Sequence, residues 1–197
     1  MNETIAAIMS RRSIRKFEQR QVPEALLQEI LEAGRAAPSG GNIQTSHLLV
    51  IQSSEILREM TELAVQRLAL LEYDDRTYQS LRSAIERARK GYWDFTYGAP
   101  TFVVVANQRE YAHNNHLADS ACVIQNMMIA AQSLGIGTCY INNLKWLNED
   151  GVMLEYLRGL GLGEKEIPCG SLSMGYSAMK KELPPLKRTG NLITRIG

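Results

Sequence analysis

The sequence predicts an α+β layered domain, and three observations carry that prediction. Apolar strand-like runs are separated by segments with helical spacing, so sheet and helices must pack as layers. The first strong strand arrives only after about two helices' worth of chain, which does not match regular βαβ units. The length of 197 residues at 45% hydrophobic content supplies one substantial core, and residues 1–197 are therefore read as a single domain.

The elements follow in chain order. Residues 3–11 place Ile5, Ile8 and Met9 on one face of a short amphipathic helix that delivers Arg11 and Arg12 at its end. A helix over about 23–35 starts with Pro in its early turn and buries Leu26, Leu27, Ile30 and Leu31. Pro38, Gly40 and Gly41 forbid its continuation. Residues 47–52 (HLLVIQ) read as a buried strand after the Gly-rich turn. Helical spacing of Leu, Glu, Arg and Ala over 54–72 and 77–92 predicts two helices, and 101–106 (TFVVVA) is the second strong strand. Residues 115–134 are apolar on nearly every face, so this helix must be surrounded by protein and hints at a subunit interface. Gly135 and Gly137 end it, and 138–141 supply a third strand. A helix around 151–159 and a strand around 169–174 complete the regular structure, ahead of a Pro- and Lys-rich tail.

Composition narrows the function. A net charge of +1, with basic residues clustered at the two ends, points to a local anion site and away from a nucleic-acid surface. The apolar run 117–136 is broken by Asp119, Gln125, Asn126 and Gln132, so no membrane span is expected. The first 20 residues are charged throughout and lack an apolar leader core, which makes the cytoplasm the default location. Cys122, Cys139 and Cys169 are odd in number and widely spaced among apolar neighbours, and are read as reduced, packed thiols. No Cys-x-x-Cys occurs, and the loose spacing of His113, His116, Asp119 and Cys122 fits a helix entering a core better than a metal site. Gly159 and Gly163 lack a P-loop lysine and read as a helix end. The stretch 91–95 (GYWDF) fits an aromatic pocket wall and core packing equally well.

Two segments carry the chemistry. Residues 11–15 (RRSIR) gather guanidinium groups around a hydroxyl. A phosphate monoester, at roughly −1.5 to −2 charges near neutral pH, suits Arg11, Ser13 and Arg15 at i, i+2 and i+4 in extended backbone. Residues 37–44 (APSGGNIQ) form a Gly-rich turn in which Gly40 and Gly41 admit close backbone approach. Asn42 and Gln44 offer donors and acceptors to a uracil-like edge. Together the segments fit a phosphorylated, hydrogen-bonding ring cofactor, for which FMN is the best candidate.

With these motifs in order, the chain resembles the nitroreductase family of FMN-dependent oxidoreductases over essentially its whole length: RRSIRKF, AAPSGGNIQ, GAPTFVVV, DSACVIQNMMIAAQSLGIGTCYI and MGY before a basic tail. The resemblance implies a mixed central sheet flanked by helices, dimerised through long central helices with FMN at the interface. It implies that Arg11, Arg12, Ser13 and Arg15 hold the ribityl phosphate and reach the ring. Pro38, Ser39, Gly40, Asn42 and Gln44 match the loop that the partner subunit lays over the flavin. Tyr140, Ile141, Asn142 and Asn143 match the stretch along the flavin's reactive edge, and Lys187 or Arg188 matches the basic position closing the phosphate site. The chain departs from many members in having Gln44-Thr45-Ser46 where they continue Gln-Pro-Trp, and Asn142 where some carry an acid.

The activity so implied is transfer of hydride from NADH or NADPH through FMN to nitroaromatic, quinone or similar electron-poor acceptors. The cofactor carries the chemistry, so no dedicated acid or base is required, and Arg12 or Arg15 is expected to stabilise negative charge on the reduced ring. Two other readings share the motifs: a specialised flavin enzyme of the same fold (dehalogenase, azoline oxidase or flavin-fragmenting), and a non-catalytic module that stores or senses FMN.

Overall fold

A computed structural model describes residues 1–109, 115–180, 183–184 and 190–197. Its helices are α1 (Glu3–Ser10), α2 (Glu24–Arg35), α3 (Ser54–Ala69), α4 (Gln79–Arg89), α5 (His116–Ser133) and α6 (Gly151–Gly159). Its strands are β1 (His47–Ile51), β2 (Thr101–Gln108), β3 (Gly137–Ile141) and β4 (Glu166–Gly175), in the spatial order β1-β2-β4-β3. The α+β class therefore holds. All three ladders are antiparallel. The sheet of named strands is thus antiparallel where a mixed one was expected, and the one parallel pairing is an isolated bridge outside them that sets Ser13 against Thr138 on the β3 edge.

The apolar run of β2 is buried on both faces because helices cover both sides of the sheet. Phe102, Val104 and Ala106 face one cluster with Met60 and Leu68 of α3, Met153 of α6 and Leu144. Val103 and Val105 face a second cluster with Leu27 and Ile30 of α2, Ile124 and Met127 of α5, and Met174 of β4. Strand alternation thus sorts consecutive apolar residues into two cores.

Three of the helices, α1, α3 and α6, start where short polar side chains satisfy open N–H groups. The Asn2 side chain accepts from the Ile5 N–H, Ser53 from Ile56, and Asp150 from Met153. Two expectations about faces are corrected. In α1 only Ala7 is buried, and Ile5, Ile8 and Met9 are exposed. In α2 the buried residues are Leu27, Ile30 and Gly34, with Leu26 and Leu31 half-buried. The α5 helix is also one-sided: Val123, Ile124, Met127, Met128 and Ala131 pack inward, and Leu117, Ala121, Cys122 and Gln125 are exposed. Cys139 and Cys169 are buried free thiols, whereas Cys122 is exposed, contrary to the packed thiol expected there. Among the described residues, no helix is long and apolar enough to cross a membrane.

Candidate functional site

The site is built where the chain after α1 runs extended along β3. The Ile14 N–H donates to the Thr138 carbonyl at 2.9 Å, and further on the Glu18 N–H donates to the Tyr176 carbonyl at 2.9 Å. Extended backbone sends alternate side chains to opposite sides. Arg11, Ser13 and Arg15 all act on the buried Cys139 of β3. Burial pushes its thiol pKa up, while the charges of Arg15 and Arg11 and a hydrogen bond with Ser13 pull it down. Arg12 is turned away, donating through Nε to the Pro184 carbonyl at 2.9 Å and through Nη1 to the Arg11 carbonyl at 3.0 Å. It lines a cavity of about 650 Å³ with Gln132, Gly137 and Lys180. Of the two arginines expected to stabilise a reduced ring, the fold leaves Arg15 on the side of β3 where the other phosphate candidates lie.

The end of β3 opens onto a second cavity, of about 410 Å³, lined by Tyr140, Ile141, Asn142 and Asn143. Asn143 is only 6% exposed. Its Nδ2, and the Oδ1 of Asn142, are buried without a hydrogen-bond partner among the described residues. Buried amide groups left unpaired cost roughly 1–3 kcal/mol each, a cost that a ligand offering complementary groups removes. The Tyr140 ring crosses to the opposite face of the sheet, its hydroxyl 2.8 Å from where a Cβ on Gly170 would stand.

The same cavity is lined by Trp93, Tyr97 and Trp146. The aromatic stretch thereby divides. Trp93 lines the cavity, Phe95 is core, and Tyr92 is exposed. The turn that aims Tyr97 is tied by Asp94, whose carboxylate accepts from the Thr96 N–H at 2.8 Å, the Thr96 hydroxyl at 2.6 Å and the Gly98 N–H at 2.7 Å. Tyr97 itself holds φ 61°, a conformation rare outside glycine and sustained only where the surroundings enforce it. The Arg15 guanidinium lies 5.9 Å from the Tyr97 ring centre, joining the basic strand to the cavity wall.

The Gly-rich loop lies elsewhere. Pro38, Ser39 and Gln44 line a separate cavity of about 310 Å³ with Arg35 and Leu48. Gly41, Asn42 and Gln44 have φ of 61°, 56° and 53°, so the loop curls tightly. The Gln44 N–H donates to Ser39 Oγ at 3.0 Å, and the Gly40 N–H donates to Asp119 Oδ1 at 3.0 Å. The Asn42 and Gln44 side chains stay exposed. Within one chain the loop and the Asn142–Asn143 cavity are therefore not brought together. Lys187 and Arg188 lie outside the described residues, as does His113.

Comparisons with known proteins identify the family. A model of the nitroreductase family matches residues 8–176. The chain belongs to the nitroreductase family. Crystal structures of FMN-bound nitroreductases match its fold over the full length of both chains. That from Bacteroides fragilis is 34% identical with a TM-score of 0.88, and that from Desulfitobacterium hafniense is 29% identical with a TM-score of 0.80. The NADPH-flavin oxidoreductase of Vibrio harveyi is 27% identical over 190 residues, which cover 94% of this chain and 70% of that protein.

Sequence reasoning missed several residues that this nitroreductase-family fold places at the site. Asp119 was read within a helix entrance, and its carboxylate instead anchors the Gly-rich loop. Tyr97 and Trp146 line the amide cavity. A signal for Tyr97 existed: Asp94-x-Thr96-x-Gly98 is a pattern of turn residues, which singles out an aromatic held inside a tight turn.

Proposed function

We propose that the protein is a homodimeric, FMN-dependent NAD(P)H oxidoreductase of the cytoplasm that reduces nitroaromatics, quinones or similar electron-poor acceptors. The observation that carries this reading is the pair of unpaired amide groups on Asn142 and Asn143, set at the end of the same strand that Arg11, Ser13 and Arg15 flank. These residues fit FMN in kind: guanidinium and hydroxyl donors for a phosphate, and amides for a hydrogen-bonding ring edge. When bound, FMN supplies the hydride chemistry, accepting from NADH or NADPH and passing reducing equivalents to the acceptor.

The chain's own residues bind and orient. Arg11, Ser13 and Arg15 hold the phosphate, and Arg15 adds positive charge beside the Tyr97 wall. Asn142 and Asn143 fix the ring edge, and Trp93, Tyr97 and Trp146 exclude water from one side. Asn42 and Gln44 come from a second copy, which the exposed loop amides and the exposed Ile5, Ile8, Met9 and Leu117 support. Basic residues of the C-terminal tail, Lys187 or Arg188, close the phosphate site.

The test is an anaerobic titration of purified holoprotein with NADH and with NADPH, followed by a panel of nitroaromatic and quinone acceptors. The flavin absorbance should bleach with at least one nucleotide and return on addition of acceptor. A protein unable to bind FMN, or one whose bound flavin stays oxidised in both nucleotides, overturns the proposal.

A further inference from the structure

The helix α4 carries three arginines on a surface where two are already committed. Arg82 donates to the Asp74 carbonyl at 2.6 Å and lies 3.5 Å from the Asp75 carboxylate. Arg89 donates to the carbonyls of Ala69 and Leu71 at 3.1 and 2.9 Å. Both pin the connection between α3 and α4. Arg87 is different. It forms no ion pair among the described residues, its guanidinium lies 5.6 Å from the Trp93 ring centre, and it lines the same cavity as Asn142 and Asn143. Among the described residues that lining contains no carboxylate, and Arg87 is its sole formal charge. The flat surfaces around it are Trp93, Tyr97 and Trp146.

We infer that this cavity selects a flat aromatic acceptor bearing a carboxylate, with the ring against the aromatic wall and the anionic group on Arg87. The inference rests on the proposed function and names the class of acceptor for that same site. Arginine suits the task because its planar fork meets a carboxylate in two parallel hydrogen bonds while its face stacks on an indole. Arg87 is itself exposed, and a charge-assisted bond of this kind favours an anion over its neutral isostere. The 2′-phosphate of NADPH is the other anion that such a guanidinium recognises, and the experiment separates the two.

Both tryptophans of the sequence line this cavity, so their fluorescence reports its occupancy without turnover. The FMN-loaded protein is titrated with benzoate and with benzamide, which differ in charge and little in shape. Benzoate should bind about tenfold more tightly, and 4-nitrobenzoate should have a lower KM than 4-nitrobenzamide by a similar factor. In Arg87→Gln both preferences should fall to within about threefold, and Arg87→Lys should retain part of them. Equal binding of benzoate and benzamide to the unaltered protein, or a preference that survives Arg87→Gln, overturns the inference. So does an Arg87→Gln variant in which only the KM for NADPH rises. Those outcomes leave the flavin reading standing whenever neutral acceptors are still reduced, whereas a failure to bind FMN overturns both.

Discussion

Single side chains set the chemistry of this site through what surrounds them. Asn143 is buried with an unpaired Nδ2, so replacing it has opposite effects on folding and on binding. Asn143→Ala removes an unsatisfied donor, and the apoprotein's melting temperature should hold or rise. The same change should weaken FMN by about tenfold, as loss of a net hydrogen bond predicts, read by flavin fluorescence titration. Burial likewise raises the thiol pKa of Cys139 and Cys169 above the ordinary 9.0. The folded state therefore holds those protons more tightly than the unfolded chain. Their contribution is full below the ordinary thiol value and is lost as the pH rises past it towards the folded pKa. Melting temperatures measured from about pH 7 to about pH 10 should fall, and less steeply in Cys139→Ser.

Individual elements show where local pattern suffices and where it does not. The α2 helix is legible from its apolar spacing, which says nothing of Gly34. A Cβ there would stand 2.7 Å from Met127 Cγ and 3.4 Å from Val123 Cγ1, so the missing side chain is what lets α2 approach α5. Gly34→Val should cost roughly 1–3 kcal/mol through overpacking, checked by urea unfolding. The expected helix over 54–72 instead closes at Ala69, where the Leu70 and Leu71 N–H groups turn back to the Arg67 and Leu68 carbonyls and Arg89 of α4 donates to the Ala69 and Leu71 carbonyls. Such a distant cap leaves no mark within the segment it ends. The strand found around 169–174 begins earlier, at Glu166, and takes Pro168 into its ladder beside a register shift, a use of proline that propensity alone argues against.

At the scale of the whole molecule, one protomer leaves its site divided. The Gly-rich loop faces its own cavity and the amides just after β3 another. The apolar side of α1 and the outer side of α5 are exposed. A second copy placed on that surface covers it and supplies the loop. Leu117→Lys, on the exposed start of α5, should yield a lighter species in sedimentation experiments together with loss of retained flavin. A monomer that keeps its flavin tightly would contradict the shared site.

Helices, strands and their turns were readable in the chain because periodicity, capping and glycine–proline chemistry act within a few residues. The basic strand and the Gly-rich turn were found for the same reason. What needed the folded molecule was convergence: Arg15 beside Tyr97, Asp119 beneath Gly40, and the turning of Arg12 away from its neighbours towards Pro184. Those meetings join residues tens of positions apart, and the order in which strands cross the sheet decides them. No short-range preference carries that information, so only packing of the complete chain assigns each side chain to its cavity.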